Sequence, residues 1–178
     1  MNLISEEYRA ENKRQHDSKT GYGIRGYKHL QDVVQLAKME DCATVLDYGC
    51  GQNTLAAQAR RVSPATFFSY DPSVPEYSLL PEPADLVVCT DVLEHIEPLC
   101  LNDVIEHLAS LTKKAFYFQI ACRPAARKLS DGRNAHLLVK DPLWWFDVLR
   151  PHFDILNFKA APGNSVAITG RPLGQAYP

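Results

Sequence analysis

Thr44-Val45-Leu46-Asp47-Tyr48-Gly49-Cys50-Gly51-Gln52-Asn53 is the stretch on which the fold of this chain turns. Its first five residues form a short apolar run that stops at a glycine, the pattern of a buried strand. Leu55, Ala59 and Val62 follow at helical spacing, and Pro64 ends them. Glycines at 49 and 51 let the backbone turn tightly and approach a ligand closely, at a helix amino terminus expected to present free N–H groups. A Gly-x-Gly alone is weak evidence, and the strand before it and helix after it are what give it weight.

Upstream of this stretch, Leu30, Val33, Val34 and Ala37 follow the i, i+3, i+4, i+7 spacing of one helical face, which predicts a helix over 27–39. Residues 1–26 are polar, with Gly21, Gly23 and Gly26 among charges, and read as a short helix and a Gly-rich stretch. The chain therefore divides into an amino-terminal arm, 1–26, and one domain, 27–178.

Downstream, 66–70 and 85–90 read as strands, the first ending at Asp71-Pro72. Pro98 suits the first turn of a helix whose face is Leu101, Val104, Ile105 and Leu108. Another strand covers 115–120. Asp141-Pro142 then starts a helix through Leu149, with Asp as cap and Pro in the first turn, and Pro151 ends it. The runs 153–160 and 165–170 lie only four residues apart, too close for a crossover helix, so they must be antiparallel neighbours. Strands alternating with helices predict an α/β, doubly wound, mostly parallel sheet with right-handed crossovers, closed by a carboxyl-terminal antiparallel hairpin.

Composition agrees with one globular domain. The chain has 178 residues, 46% hydrophobic and 22% charged, enough for a core and too little charge bias for general disorder. It has no apolar run of membrane-spanning length and no apolar signal core in its first thirty positions. Five cysteines without a Cys-x-x-Cys pair suggest neither a disulfide framework nor a zinc site, and a reducing cytoplasm is the simplest compartment. No metal site is expected.

Charge is unevenly placed. Between Arg61 and Lys113 there is no Lys or Arg but nine carboxylates, while the rest of the chain carries nineteen basic against twelve acidic residues. Such blocks are commonly solvated faces. The functional alternative is an acidic region that holds something cationic or rich in hydroxyls, and a basic region that faces an anion.

In an open parallel sheet the ligand crevice lies beyond the carboxyl ends of the strands. Asp71 falls twenty residues after Gly51, the separation at which a carboxylate accepts from both ribose hydroxyls; its bland reading is a turn residue before Pro72. A dinucleotide or S-adenosylmethionine could satisfy this arrangement. Asp47, two residues before the glycine turn, would repel a pyrophosphate and suits an ammonium or sulfonium.

With Val45-Leu46-Asp47-Tyr48-Gly49-Cys50-Gly51, Asp71 and Asp85-Leu86-Val87-Val88-Cys89-Thr90-Asp91-Val92-Leu93-Glu94-His95-Ile96 in view, the chain resembles the class I S-adenosylmethionine-dependent methyltransferases over roughly 42–170. Two further runs, 22–28 and 131–137, resemble a small methyltransferase-like group of phage and bacterial genomes that brings no assigned substrate. The resemblance implies a Rossmann-like fold, S-adenosylmethionine as cofactor, and a methyl acceptor that is a small molecule, anionic and phosphorylated in one reading. Nucleotide or nucleic-acid modification, and a non-catalytic binding module, are the alternatives. It implies that Asp47, Gly49 and Gly51 surround the methionine part, that Asp71 meets the ribose, that Cys50, Asn53 and Pro72 also belong to the cofactor site, and that Asp91, Val92 and Leu93 line the methyl cleft. Tyr22 and Gly23 belong to the segment expected to close over the cofactor.

Two departures stand out. Asn53 replaces the family's third glycine, and only thirteen residues separate Asp71 from the next strand motif. That is too short for helix, strand and helix, so one edge strand is expected to be missing, with adenine resting on the Pro-rich segment near Tyr77, Leu79 or Leu80. For an acceptor that must lose a proton, His95 and His136 are the candidate bases, because histidine titrates near neutrality. Arg123, Arg127, Lys128 and Arg133 make the segment after the 115–120 strand locally basic, matching either an anionic acceptor or a solvated loop.

Overall fold

The computed structural model describes residues 1–17, 23–161 and 163–174. Its elements run α1 (Glu6–Asp17), α2 (Leu30–Met39), β1 (Thr44–Tyr48), α3 (Thr54–Ala59), β2 (Thr66–Tyr70), β3 (Ala84–Thr90), α4 (Leu101–Leu111), β4 (Thr112–Ala121), α5 (Pro142–Leu149), β5 (Phe153–Ala161) and β6 (Ser165–Pro172). One six-stranded sheet has the order β2-β1-β3-β4-β6-β5. β1 pairs in parallel with both β2 and β3, and β3 with β4. β6 is antiparallel to β4 and to β5, so the terminal hairpin is inserted with its second strand innermost.

Strand alternation explains why both faces are covered. Val45, Leu86 and Val88 point into a core with Val33, Ala37, Leu55 and Ala59 of α2 and α3. Their neighbours Leu46, Val87 and Cys89 point the other way, into a core with Leu108 of α4 and Trp145 and Leu149 of α5. A strand buried on both faces reads as a continuous apolar run, which is why β1 and β3 are conspicuous in the sequence. β2 is an edge strand, and only a chain with a single 3₁₀ turn at Pro75–Tyr77 connects it to β3. The expected loss of one edge strand is thus present in the topology.

Element boundaries differ from the sequence reading in several places: α2 begins at Leu30 after a 3₁₀ turn at Gly26–His29, and β6 runs on to Pro172. α3 stops at Ala59, leaving Val62 exposed outside it. Pro98 lies in the turn ahead of α4, whose cap is Cys100, rather than inside its first turn. β4 begins at Thr112, directly after α4, because Lys113 and Lys114 extend the strand past the apolar run; Lys114 Nζ donates to Asp41 O at 2.5 Å. Asp141 does cap α5, its carboxylate accepting from Trp144 N at 3.0 Å with Pro142 behind it.

Candidate active site

Strand order reverses beside β1, where β2 leads one way and β3 the other, and a cavity of about 490 Å³ opens at the carboxyl ends of β1, β3 and β4. That volume lies in the ordinary range for small-molecule sites. Asp47, Gly49, Cys50, Gly51, Asp71, Pro72, Asp91, Val92, His95 and His136 all line it, as does Gly23. Leu93 does not: it is buried in the core packed against α4. Asn53 does not either: in a left-handed conformation at the cap of α3, it accepts from Ser69 Oγ at 2.8 Å and ties the turn to β2. Tyr22 lies outside the described residues. Tyr77, Leu79 and Leu80 are also absent from the wall, and Leu79 and Leu80 are exposed; Pro72 and Ser73 border the Asp71 end instead.

The glycine turn is closed upon itself. Gly49 N and Cys50 N both donate to Tyr70 O, Gln52 N to Gly23 O and Asn53 N to Cys50 O. Gly51 N donates to Asp71 Oδ2 at 3.1 Å. The N–H groups of 49–53 are therefore engaged within the protein, contrary to the expectation of free donors, and the turn is no cradle for a pyrophosphate. Glycine is needed for packing here. A Cβ on Gly51, at φ +51, would lie 2.7 Å from Gly23 O, and one on Gly49, at φ +79, 2.3 Å from Val92 Cγ2.

Two buried carboxylates flank the turn. Asp47 is nearly sealed from solvent, and burial, with the nearby Asp71 charge adding to it, pushes its carboxyl up to about 7. Asp71 accepts from Ser73 N at 2.9 Å as well as from Gly51 N, which fixes its orientation at the tip of β2. His16 Nε2, from α1, stands 3.7 Å from Asp71 Oδ2.

At the opposite end the lining comes from the turn after β3 and the long segment after β4. Ala121 N donates to Glu94 Oε1 at 3.1 Å and Leu138 N to Glu94 O at 2.9 Å, so a fully buried glutamate pins both ends of segment 122–138. Burial, and then Asp91, pushes the Glu94 carboxyl up to about 8. His95 Nδ1 faces Ala135 O at 2.7 Å and His136 Nδ1 faces Arg123 O at 2.5 Å. A carbonyl only accepts, so each Nδ1 carries its proton and each Nε2 its lone pair. Burial, and then the neighbouring His136, lowers His95 to about 4. Arg25, Arg123 and Arg127 also line the cavity.

Residues 1–17 roof it. Ser5 N and Oγ both donate to Glu97 at 2.8 Å, and Ser130 N and Oγ donate to Glu11 at 3.1 and 2.7 Å. Arg14, Ser130 and Gln15 together hold the Glu11 carboxyl down to about 2. Tyr8 packs with Leu129 and Ala135. Sequence reasoning missed Tyr8, Asn12 and His16 as lining residues, since α1 is polar throughout and its apolar contacts come singly; it also missed Glu97, in the turn ahead of α4.

A doubly wound sheet with this order, and an acid-flanked glycine turn at its switch point, define a nucleoside-binding enzyme of the methyltransferase type. A sequence profile described as a methyltransferase domain matches residues 22–159, and the chain belongs to that family, within the class I S-adenosylmethionine-dependent methyltransferases. A search of curated protein sequences finds no match. Among solved structures, the fold is similar to Burkholderia thailandensis 1,6-didemethyltoxoflavin-N1-methyltransferase bound to 1,6-didemethyltoxoflavin and S-adenosylhomocysteine. The TM-score is 0.70 at 14% identity, covering 97% of this chain and 92% of that one. An O-methyltransferase family protein from the same organism gives 0.65 at 20% identity, covering 98% of this chain and 65% of that one. Synechocystis PCC 6803 magnesium protoporphyrin IX methyltransferase with bound S-adenosylmethionine gives 0.56 at 16%, covering 97% of this chain and 100% of that one. Among the described residues no helix is long and apolar enough to cross a membrane, and all five cysteines are free.

Proposed function

We propose that the cavity binds S-adenosylmethionine and that the chain transfers its methyl group to a small-molecule acceptor. The observation that carries this reading is the pair of buried carboxylates, Asp47 and Asp71, on either side of a glycine turn whose amides are already engaged. Such a site repels phosphate and attracts a cationic, hydroxyl-rich ligand. In this reading Asp47 faces the methionine ammonium, and the bare backbone at Gly49 and Gly51 admits the methionine chain. Asp71 keeps lone pairs beyond its two backbone bonds and accepts from the ribose hydroxyls. Adenine rests against Pro72 and Ser73. Asp91 and Val92 border the methyl, and residues 1–26 act as the lid.

Transfer is an in-line displacement. A lone pair of the acceptor forms the new bond to the methyl carbon while the carbon–sulfur bond breaks, its electron pair staying on sulfur to give S-adenosylhomocysteine. Alignment of the three atoms supplies much of the rate. Where the acceptor must lose a proton, Nε2 of His95 or His136 faces it; at about 4, His95 is neutral at pH 7 and a weak base. Arg25, Arg123 and Arg127 on the wall favour an anionic acceptor, and the guanidinium suits a phosphate or carboxylate. Five free thiols fit a reducing cytoplasm.

The test is incubation with S-adenosylmethionine labelled on the methyl group and fractionated metabolites from a bacterial extract. Label is expected in a small anionic product; label in nucleic acid alone would redirect the assignment, and no transfer by folded, cofactor-bound protein would leave a binding module.

A further inference from the structure

Glu94 and His95 follow β3 while His136 lies in the segment after β4, yet one ligand atom from each comes within 4.8 Å of the others. We infer that these three side chains form a site for a divalent transition-metal cation at the acceptor end of the cavity, a step that rests on the acceptor reading above.

The two histidines are arranged as metal ligands are. Each imidazole donates Nδ1–H to a backbone carbonyl, of Ala135 and of Arg123, which fixes the ring and puts the lone pair on Nε2. The rings stand perpendicular, edge to face, with centroids 4.8 Å apart, so they are neighbours without being stacked. Glu94 supplies the independent observation. Its Oε1 is held by Ala121 N, and its Oε2, sealed from solvent, has no hydrogen-bond partner among the described residues. A buried carboxylate oxygen in that position calls for a proton or a cation. Asp91 lies close enough to add negative charge, and Arg123 opposes it, although its Nε is engaged by Asn164 Oδ1 at 2.7 Å.

The donor set selects the ion. Two imidazole nitrogens and one carboxylate oxygen suit zinc, manganese or iron better than magnesium or calcium, which prefer oxygen throughout. Donors about 2.1 Å from one ion at tetrahedral angles lie about 3.4 Å apart, so loading draws the most separated pair in by about an ångström or more. His136, half-buried on an irregular segment, is the member best placed to move. Three protein ligands leave a position open to the cavity; with both Nε2 lone pairs on the ion neither histidine serves as base in the loaded site, and a bound acceptor oxygen would lose its proton to solvent and be stabilised as its anion.

The experiment is calorimetric titration of chelator-stripped protein with zinc chloride and, separately, manganese chloride, with metal analysis after gel filtration. One equivalent of at least one ion is expected to be retained. Glu94→Gln and His136→Ala should each weaken binding by about tenfold or more. His136 is not in the core, so His136→Ala keeps the test decisive if the buried Glu94 variant fails to fold. Uptake of neither ion by folded protein, or undiminished affinity in His136→Ala, would overturn the inference. Titration with S-adenosylhomocysteine in chelator separates the two readings: heat there without cation uptake defeats the metal site alone, and cation uptake without that heat defeats the cofactor site.

Discussion

At the Asp47 end of the cavity the floor comes from one βαβ unit between Thr44 and Ser73, whereas the His95 end joins the tip of β3 to a segment beginning some thirty residues later. The first end is backbone-built: its amides donate to the carbonyls of Tyr70, Gly23 and Cys50 and to the Asp71 carboxylate, and carboxylates are left to meet a ligand. The second is side-chain-built, with two oriented imidazoles, a buried glutamate and arginines on an irregular segment. A ligand common to many enzymes can be met by fixed main chain, while one particular to this protein needs replaceable side chains, so the two ends should respond to mutation in different ways.

The largest effect is expected for Gly51→Val. Its side chain would strike Gly23 and force a branched residue into positive φ, so affinity for S-adenosylhomocysteine should fall at least about a hundredfold, with a lower melting temperature. Retained affinity, measured by calorimetry, would show that the turn does not floor the site. Next comes Asp71→Ala, which removes the acceptor for Gly51 N and Ser73 N as well as for the ribose; a loss of roughly 1–3 kcal/mol of cofactor binding is expected.

Asp47 sharpens the comparison through pH. Its folded value near 7 lies above the ordinary carboxyl value of 3.8, so the folded state holds a proton that the unfolded state releases across that interval. Its ionisation therefore weakens the fold as pH rises from about 4 to 7, and Asp47→Asn should melt higher than wild type at pH 8. The cationic cofactor needs the ionised form, so wild-type affinity should rise from pH 6 to pH 8 and level off above; Asp47→Asn should bind about tenfold or more weakly and lose that dependence. A flat wild-type profile would separate Asp47 from the ligand ammonium. The smallest effect on cofactor affinity is expected at the other end: Arg127→Ala should leave S-adenosylhomocysteine binding within about twofold while raising KM for an anionic acceptor. An equal change in both would mean that the two ends are not independent.

Legibility in the sequence followed the same division. β1, β3 and the glycine turn announce themselves because a strand covered on both faces is continuously apolar and ends abruptly at glycine. Asp47 and Asp71 were readable because a strand tip fixes where a side chain goes. His95 and His136 could be named, but Glu94 was hidden: its place depends on contacts with Ala121 and Leu138, far along the chain. Leu93 was misplaced because the 3₁₀ turn at Leu93–His95 rotates it into the core while leaving Val92 and His95 on the wall. The roof formed by α1 was illegible for another reason. Its attachment through Ser5, Glu11 and Gln15 uses polar contacts that no hydrophobic period reports.

The central claim concerns a cationic nucleoside lodged between two buried acids, and titrating wild-type protein with S-adenosylmethionine at pH 8, beside Asp71→Ala, tests it most directly. One equivalent of heat in the wild type, much reduced in the variant, is the predicted result. Folded wild-type protein that gives no heat, or a variant that binds equally well, would contradict it.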